Sequence, residues 1–335
     1  MRVRIRQARA TVEVAEGQTL LEAAISAGLA YPHGCRSGRC GGCKSRLIEG
    51  RVELLPHTRF ALSDDEKAEG LILACRTQPR TPATVAWLGD AAAVEPAYGV
   101  GGVVVGLDDL THDIKRVRVS LEEGRPLFFD AGQYAQVRFK GAPGRSYSMA
   151  NTPGQDTLEF HIRRVPEGRT SGYVHGALKI GDKARLDLPL GSSFLRQDHP
   201  GPILCIAGGS GLAPIQSIVE TALVQGMRQP IHVYFGARAE RDLYSLEHFQ
   251  ALARVHPDLA FTPVLSDSPT PAYRAGLVTQ AMAQDLPDLM GWKAYVAGPP
   301  SMVEATMAAA FAAGLRRNDM HADVFFTANR SVVAE

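Results

Sequence analysis

The stretch Pro32-His-Gly-Cys-Arg-Ser-Gly-Arg-Cys-Gly-Gly-Cys-Lys-Ser-Arg-Leu47 sets Cys35, Cys40 and Cys43 in a C-x4-C-x2-C frame, and Cys75 follows in Leu73-Ala-Cys-Arg-Thr-Gln-Pro79. This is the ligand spacing of a plant-type [2Fe–2S] cluster. Four thiolates, two sulfides and two ferric ions sum to a charge of about −2, and about −3 on reduction, so the loop must turn N–H dipoles toward sulfur. Gly34, Gly38, Gly41 and Gly42 permit that, because a residue without Cβ takes positive φ and approaches the cluster closely. The competing reading is a zinc site built from Cys40 and Cys43 with Cys35, Cys75, His33 or His57; zinc sites seldom use such a triplet inside a glycine-rich loop.

The flanking residues read as a small α+β unit around the loop. Val3, Ile5, Val12 and Val14 alternate about a turn at Glu16-Gly17 and predict a β-hairpin. Thr19 stands three residues before Glu22 in a capping box, and Leu20, Leu21, Ala24 and Ile25 give the following helix one apolar face before Gly28 stops it. Ser63 and Glu66 repeat the box ahead of the apolar strand Leu71-Ile72-Leu73. Cys205, inside the apolar run Ile203–Ile206, reads as a packed strand residue rather than a ligand.

With 335 residues the chain is too long for one ordinary core and suits two or three domains. Lys+Arg 36 against Asp+Glu 35 leave a formal charge of +1, so no bulk field argues for nucleic acid or a membrane as partner. The start, MRVRIRQARATVEV, lacks the apolar stretch of a signal peptide, and nowhere do about 18 apolar residues run together. Five cysteines, three of them packed into nine residues, make a poor disulfide framework but a good metal site in a reducing compartment. A cytoplasmic location is the expectation.

The cysteine segment resembles the ferredoxin domain of reductases that serve ring-hydroxylating Rieske dioxygenases, which implies a β-grasp ferredoxin over residues 1–93. Ala91–Gly102 is rich in Ala, Pro and Gly and has no clear period, so a boundary is expected near Glu95, with a linker at 94–100. Short apolar alternations from Val103 to Leu188 then predict an antiparallel β-barrel over 101–198. Inside it stand Arg145-Ser-Tyr-Ser-Met-Ala-Asn151, Phe160-His-Ile-Arg-Arg-Val165 and Pro166-Glu-Gly-Arg-Thr-Ser-Gly-Tyr-Val174. In this order they resemble the flavin-binding segments of the ferredoxin–NADP reductase superfamily. The resemblance implies that Arg145 pairs with the flavin pyrophosphate, that Tyr147 covers one ring face, and that Ser148, the one catalytic side chain, bonds near N5. It also brings His161 and Arg163 to the flavin and makes Gly168, Thr170 and Ser171 open a helix against the pyrophosphate. Elementary chemistry agrees: guanidinium matches phosphate bidentately, and a helix N-terminus favours negative charge. FAD rather than FMN rests on analogy with family members that carry the ferredoxin first.

From residue 199 to 335, strands alternate with longer helical periods, the pattern of a doubly wound α/β sheet that binds a nicotinamide dinucleotide. Gly208, Gly209, Gly211 and Pro214 lie where the first strand gives way to a helix, although the turn departs from G-x-G-x-x-G. After the second strand come Arg238 and Asp242. In NADH-using members of the superfamily an acid at this offset faces the adenosine ribose, accepting from its 2′-hydroxyl and repelling a 2′-phosphate. Arg238 and Arg241 would welcome that phosphate, and NADH is favoured on balance. Gly298, Pro299 and Met302 resemble the family's Cys-Gly-x-Pro segment at the nicotinamide, with Ala297 in place of the cysteine. His321-Ala-Asp-Val-Phe325 resembles the closing strand whose aromatic lies near the flavin, which assigns Phe325 there and Phe326 to the core.

The reading is therefore multidomain. Segments 111–119, 145–151 and 291–305 look like naphthalene- and terephthalate-type dioxygenase reductases, and the resemblance covers essentially the whole chain. It implies that NADH gives two electrons as a hydride to FAD, which relays them one at a time through the [2Fe–2S] cluster to a Rieske terminal oxygenase or a separate ferredoxin. A reductase of a soluble di-iron monooxygenase or of a deoxysugar dehydrase shares the domain order. A redox-sensing binding protein is the alternative of a different class. Between His33 and Arg46 the loop carries Arg36, Arg39, Lys44 and Arg46 and no acid, the expected basic docking face for that partner.

Overall fold

The computed structural model describes residues 1–88, 97–122 and 127–326. Strands β1 (Arg2–Ile5) and β2 (Ala10–Glu13) form the N-terminal hairpin. Its turn lies at residues 6–9, where Arg9 takes φ 48, and not at Glu16-Gly17. The N–H of Val14 still bonds Met1 O at 2.8 Å, so pairing is complete before Gly17, whose turn instead feeds α1 (Leu20–Ser26). Both capping boxes form: Thr19 N–H donates to the Glu22 carboxylate at 2.8 Å, and Ser63 N–H to that of Glu66 at 2.9 Å. The unit continues with β3 (Lys44–Glu49), β4 (Val52–Leu54), α2 (Asp64–Ala68), β5 (Leu71–Leu73), β6 (Thr77–Pro79) and β7 (Ala83–Trp87). The sheet order is β2-β1-β7-β3-β5 with β1 parallel to β7, a β-grasp arrangement. Leu20, Leu21 and Ala24 of α1 share its core with Val3, Ile5 and Val85. The cysteine loop thus runs from the end of α1 to the start of β3, and Cys75 follows β5, the strand beside β3.

The barrel comprises β8 (Tyr98–Asp109), β9 (Ile114–Leu121), β10 (Tyr134–Phe139), β11 (Arg145–Ser148), β12 (Thr157–Arg163) and β13 (Lys183–Leu190), with α3 (Arg169–Gly176) between the last two. Its order is β11-β10-β13-β8-β9-β12, and the Met149–Phe160 bridge brings the end of β11 back to β12, so the antiparallel sheet nearly closes. Closure leaves no long sheet edge exposed. Strand β8 begins earlier than the expected linker allowed, because Tyr98 and Gly99 already pair with Leu188 and Asp187. Residues 94–96, with the boundary near Glu95, lie outside the described residues.

The remaining elements are β14 (Ile203–Gly208), α4 (Leu212–Val224), β15 (Ile231–Ala237), α5 (Leu246–Val255), β16 (Leu259–Leu265), β17 (Arg274–Ala275), α6 (Val278–Asp285), β18 (Lys293–Gly298), α7 (Pro300–Ala312) and β19 (Met320–Val324). They build a wholly parallel sheet in the order β17-β16-β15-β14-β18-β19. The chain winds outward from β14 to β17 and then returns to β18 on the other side of β14. That reversal opens a crevice at the carboxyl ends of β14 and β18, the usual ligand position in such sheets. Cys205 is fully buried in β14, as its apolar neighbours implied. At the closing strand, Val324 is the buried residue and Phe326 is only half-buried, a correction to the expected core position. No described helix is long and apolar enough to cross a membrane. The β-grasp sheet lies in one compact unit, and the barrel and parallel sheet share a second.

In β19, His321 stacks on Tyr295 with ring centroids 5.2 Å apart. Burial, reinforced by the charges of Arg196 and Lys293, pushes its pKa down to about 3. The folded state binds this proton less readily than the unfolded chain. Its neutral form therefore supports full stability above the ordinary histidine value near 6.5, and stability is lost as pH falls from there toward 3, at about 1.4 kcal/mol per pH unit. The melting temperature of His321→Phe should fall less steeply between pH 6.5 and 4 than that of the wild type; parallel profiles would remove His321 as the acid-sensitive group.

Candidate functional site

Around the four cysteines, backbone N–H groups reach sulfur. Cys35 and Gly42 donate to Cys40 Sγ at 3.2 and 3.4 Å, Ser37 and Arg39 to Cys35 Sγ at 3.4 and 3.3 Å, and Cys75 to Cys43 Sγ at 3.4 Å. The glycines are required here. A Cβ on Gly34 would lie 2.8 Å from Cys40 Sγ, and Gly38 sits at φ +72 with Arg76 and His57 pressed against it. The thiols associate as two pairs. The hydrogen bond from Cys40, aided by Ser37, brings Cys35 down to about 5, and the bond from Cys43 likewise lowers Cys75. Their partners Cys40 and Cys43 are pushed up, first by that shared proton and then by burial.

Pairing decides the metal chemistry. A tetrahedral zinc with Zn–S near 2.3 Å needs all its sulfurs within about 3.8 Å of one another. Among the described residues, the group of three or more ligand atoms within 4.8 Å of one another is His112, Asp113 and Asp242, with no cysteine in it. Two pairs rather than one group of four suit two irons, and the N–H donors suit a negatively charged cluster.

On the barrel, Thr170 Oγ donates to Pro143 O at 2.7 Å and so docks the start of α3 beside Arg145. Ser171 Oγ accepts from Val165 N–H at 3.1 Å and shapes the preceding loop, in which a Cβ on Gly168 would meet that hydroxyl at 2.5 Å. Both hydroxyls are spent on backbone. What remains toward solvent is the exposed Arg145 guanidinium and the first-turn N–H groups of α3, which precede the first helical bond from Gly172 to Gly168. Together they make one electropositive edge suited to a pyrophosphate. Tyr147 packs on the barrel core, and burial raises its hydroxyl to about 12. Ser148 is buried and donates to Asp323 Oδ2 at 2.6 Å.

The other two barrel positions point elsewhere. His161 has both ring nitrogens engaged, by Glu159 at 2.9 Å and by the Tyr244 hydroxyl at 3.1 Å, so its imidazole is not free for a flavin. Arg163 Nε donates to Asp113 at 2.7 Å, and its guanidinium lies against Gly209 on the wall of the crevice.

That crevice is lined by Gly208, Gly209, Arg238, Asp242, Pro299 and Met302 among others. Gly208 and Gly298 permit the approach of the two strand ends, since a Cβ on either would strike Met302 at 2.6 and 2.8 Å. Gly211 rests on the β18 backbone, 2.1 Å from Ala297 O if a Cβ were added. Pro214 is buried in the first turn of α4, where a missing N–H costs nothing, and supports the crevice from behind. Asp242 Oδ2 accepts from Ala239 N–H at 3.0 Å, while Oδ1 is buried with no hydrogen-bond partner among the described residues. His112 Nδ1 stands 3.7 Å from that Oδ1. Phe325 follows β19, with its N–H bonded to Gly298 O at 2.9 Å.

The chain matches three described families: a 2Fe-2S iron-sulfur cluster binding domain over residues 3–80, an oxidoreductase FAD-binding domain over 102–194 and an oxidoreductase NAD-binding domain over 205–308. It is 42% identical over 314 residues, 92% of this chain and 94% of the relative, to the ferredoxin--NAD(P)(+) reductase component of the naphthalene 1,2-dioxygenase/salicylate 5-hydroxylase systems of Ralstonia sp. The corresponding naphthalene 1,2-dioxygenase component of Pseudomonas putida is 40% identical with the same coverage. The crystal structure of an Amycolatopsis cytochrome P450 reductase superposes with a TM-score of 0.79 at 37% identity, covering 97% of this chain and 98% of that one. This chain belongs to that reductase family.

The family models give the reductase a [2Fe–2S] cluster, FAD and NAD on its three domains, and the cysteine pairs, the electropositive edge and the crevice are compatible with them. One candidate site residue is not marked by any sequence motif: Asp323, in β19, accepts from the Ser148 hydroxyl 175 residues away. Alternation along that strand is the signal that would have found it. Ser148→Ala and Asp323→Asn should each retain FAD yet slow anaerobic flavin reduction by NADH about tenfold, the worth of one well-placed hydrogen bond. Wild-type rates in both would strip the pair of any part in hydride transfer.

Proposed function

We propose that the reductase prefers NADH to NADPH and passes electrons from the Cys35–Cys40 side of its cluster to an acidic protein partner, a Rieske terminal oxygenase or the ferredoxin that serves one. The carrying observation is the asymmetry of the cluster site. Cys43 and Cys75 are buried, whereas Cys35 and Cys40 are partly exposed in a loop that carries Arg36 and Arg39. Electrons leave most readily where the cluster comes nearest the surface, and there the surface is cationic. Lys44, expected on the basic face, pairs with Glu66 at 2.6 Å, so its charge is offset. Arg46 donates to Glu69 O, a neutral carbonyl, and keeps its charge.

When bound, FAD accepts the two electrons of a hydride together and releases them singly to the [2Fe–2S] cluster. The chain positions both. Arg145 and the start of α3 would hold the flavin pyrophosphate, Tyr147 would pack against its ring, and Ser148, bonded to Asp323, would serve the flavin as a hydrogen-bonding side chain. Gly208, Gly209 and Gly298 would let backbone meet the dinucleotide, with Met302 and Pro299 among the residues that would line its seat. Arg163, oriented by Asp113, serves the dinucleotide rather than the flavin. The Asp242 carboxylate, among the residues that line the crevice, would suit a ribose 2′-hydroxyl and repel a 2′-phosphate, which supports NADH over NADPH.

Cys40→Ser should lose the reduced-cluster EPR signal while keeping its FAD and most of its NADH-dependent ferricyanide reduction. Collapse of ferricyanide reduction with flavin still bound would contradict the electron order. Electron transfer to the protein acceptor should fall steeply with ionic strength, because steering between charged faces is screened within about 8 Å at physiological salt. Arg36→Glu with Arg39→Glu should give the high-salt rate at low salt; unchanged kcat/KM for the acceptor, with iron content confirmed, would rule this loop out as the docking face.

A further inference from the structure

Strand β12 of the barrel and the glycine turn of the parallel sheet are joined by a line of buried polar groups. The Glu159 carboxylate meets His161 Nε2 at 2.9 Å, His161 Nδ1 meets the Tyr244 hydroxyl at 3.1 Å, and that hydroxyl donates to Gly209 O at 3.3 Å. His161 and Tyr244 are each only 5% exposed, so neither bond is exchanged with bulk water. The Tyr244 hydroxyl lies between Gly209 O and His161 Nδ1, and because the Glu159 carboxylate can only accept, Nε2 of His161 carries the N–H on that side. A carboxylate at Nε2 fixes the ring from the far side.

The proton assignments agree with the surroundings. Burial keeps Tyr244 a neutral hydroxyl by driving its pKa far up. Burial also works to raise Glu159, yet the hydrogen bond from His161 and the charges of Arg116 and Arg118 bring it below the usual carboxylate value. The aromatic rings brace the line: Tyr244 stands edge-on to His161 at 5.3 Å and to Phe235 of β15 at 5.5 Å.

At the far end, Gly209 is at φ +56, and its carbonyl also accepts from Leu212 N–H at the head of α4. The peptide joining Gly209 to Ser210 is planar and trans, so anchoring the carbonyl aims the Ser210 N–H the opposite way. The anchor thus sets the direction of a turn that lines the dinucleotide crevice.

We infer that His161 and Tyr244 are positioning residues for hydride delivery, tying the glycine turn that seats the dinucleotide to the strand of the flavin barrel that carries His161. The inference rests on the crevice being the NADH seat. Tolerances in such a transfer are tight, and a small misplacement of the donor costs rate more than binding. Loss of the anchor therefore lowers the rate at saturating NADH.

The test is a two-residue cycle in the holoenzyme. Tyr244→Phe keeps both ring contacts and removes only the hydroxyl; His161→Phe removes that hydroxyl's partner on the barrel strand. Flavin reduction is followed anaerobically at saturating NADH and normalised to bound FAD. NAD+ affinity is measured by calorimetry, and iron content and melting temperature accompany both. Each single variant should reduce flavin roughly tenfold more slowly per bound FAD, with NAD+ affinity weakened less than the rate. The double variant should be no slower than Tyr244→Phe alone, since one line is broken once. A merely structural role would lower melting temperature and FAD content and leave the rate per flavin intact. That result, or losses that multiply in the double variant, overturns the inference. Failure of the wild type itself to reduce its flavin with NADH would instead overturn the functional reading beneath it.

Discussion

NADH surrenders two electrons as one hydride, while an iron–sulfur cluster takes one at a time, and this mismatch governs the architecture. A third group must stand between them. Each of the three makes a demand that the others' surroundings would frustrate. The cluster needs a glycine-rich loop whose N–H groups face sulfur. The flavin needs an electropositive edge beside an apolar barrel wall, and the dinucleotide needs strand ends that let backbone come close. Three separate sheets supply them, each with its own core.

Hydride transfer is the step with the tightest geometric tolerance, and the two sheets that serve it are bonded to one another. Ser148 reaches Asp323 on the closing strand, Ser217 Oγ of α4 donates to Asn151 O at 2.7 Å, and Tyr244 joins His161 to the glycine turn. Single-electron transfer is more forgiving of geometry. The cluster site accordingly stands on a unit of its own, with its own capped helices and hairpin.

What could be read from the sequence followed how local each interaction is. The cysteine spacing was decisive because four ligands and their glycines carry the chemistry almost within one loop. Both capping boxes span three residues and formed as written. The hairpin turn was misplaced because Glu16-Gly17 is a genuine turn, and only the Met1–Val14 pairing shows that it serves the helix. Tertiary partners were invisible. Asp323 lies 175 residues from Ser148, and Lys44 finds Glu66 across 22 residues. Arg163 and His161 show the subtler failure. Their segment was recognised, yet the directions of the two side chains depend on Asp113 and Tyr244, which no spacing predicts.

In this order of transfer the cluster receives electrons only through the flavin. The direct test is to remove FAD from the wild-type protein while retaining its iron, add NADH without oxygen, and record the EPR spectrum before and after FAD is restored. The account predicts no reduced-cluster signal in the flavin-free protein and its full appearance once FAD is returned. A reduced-cluster signal in the flavin-free protein would contradict it.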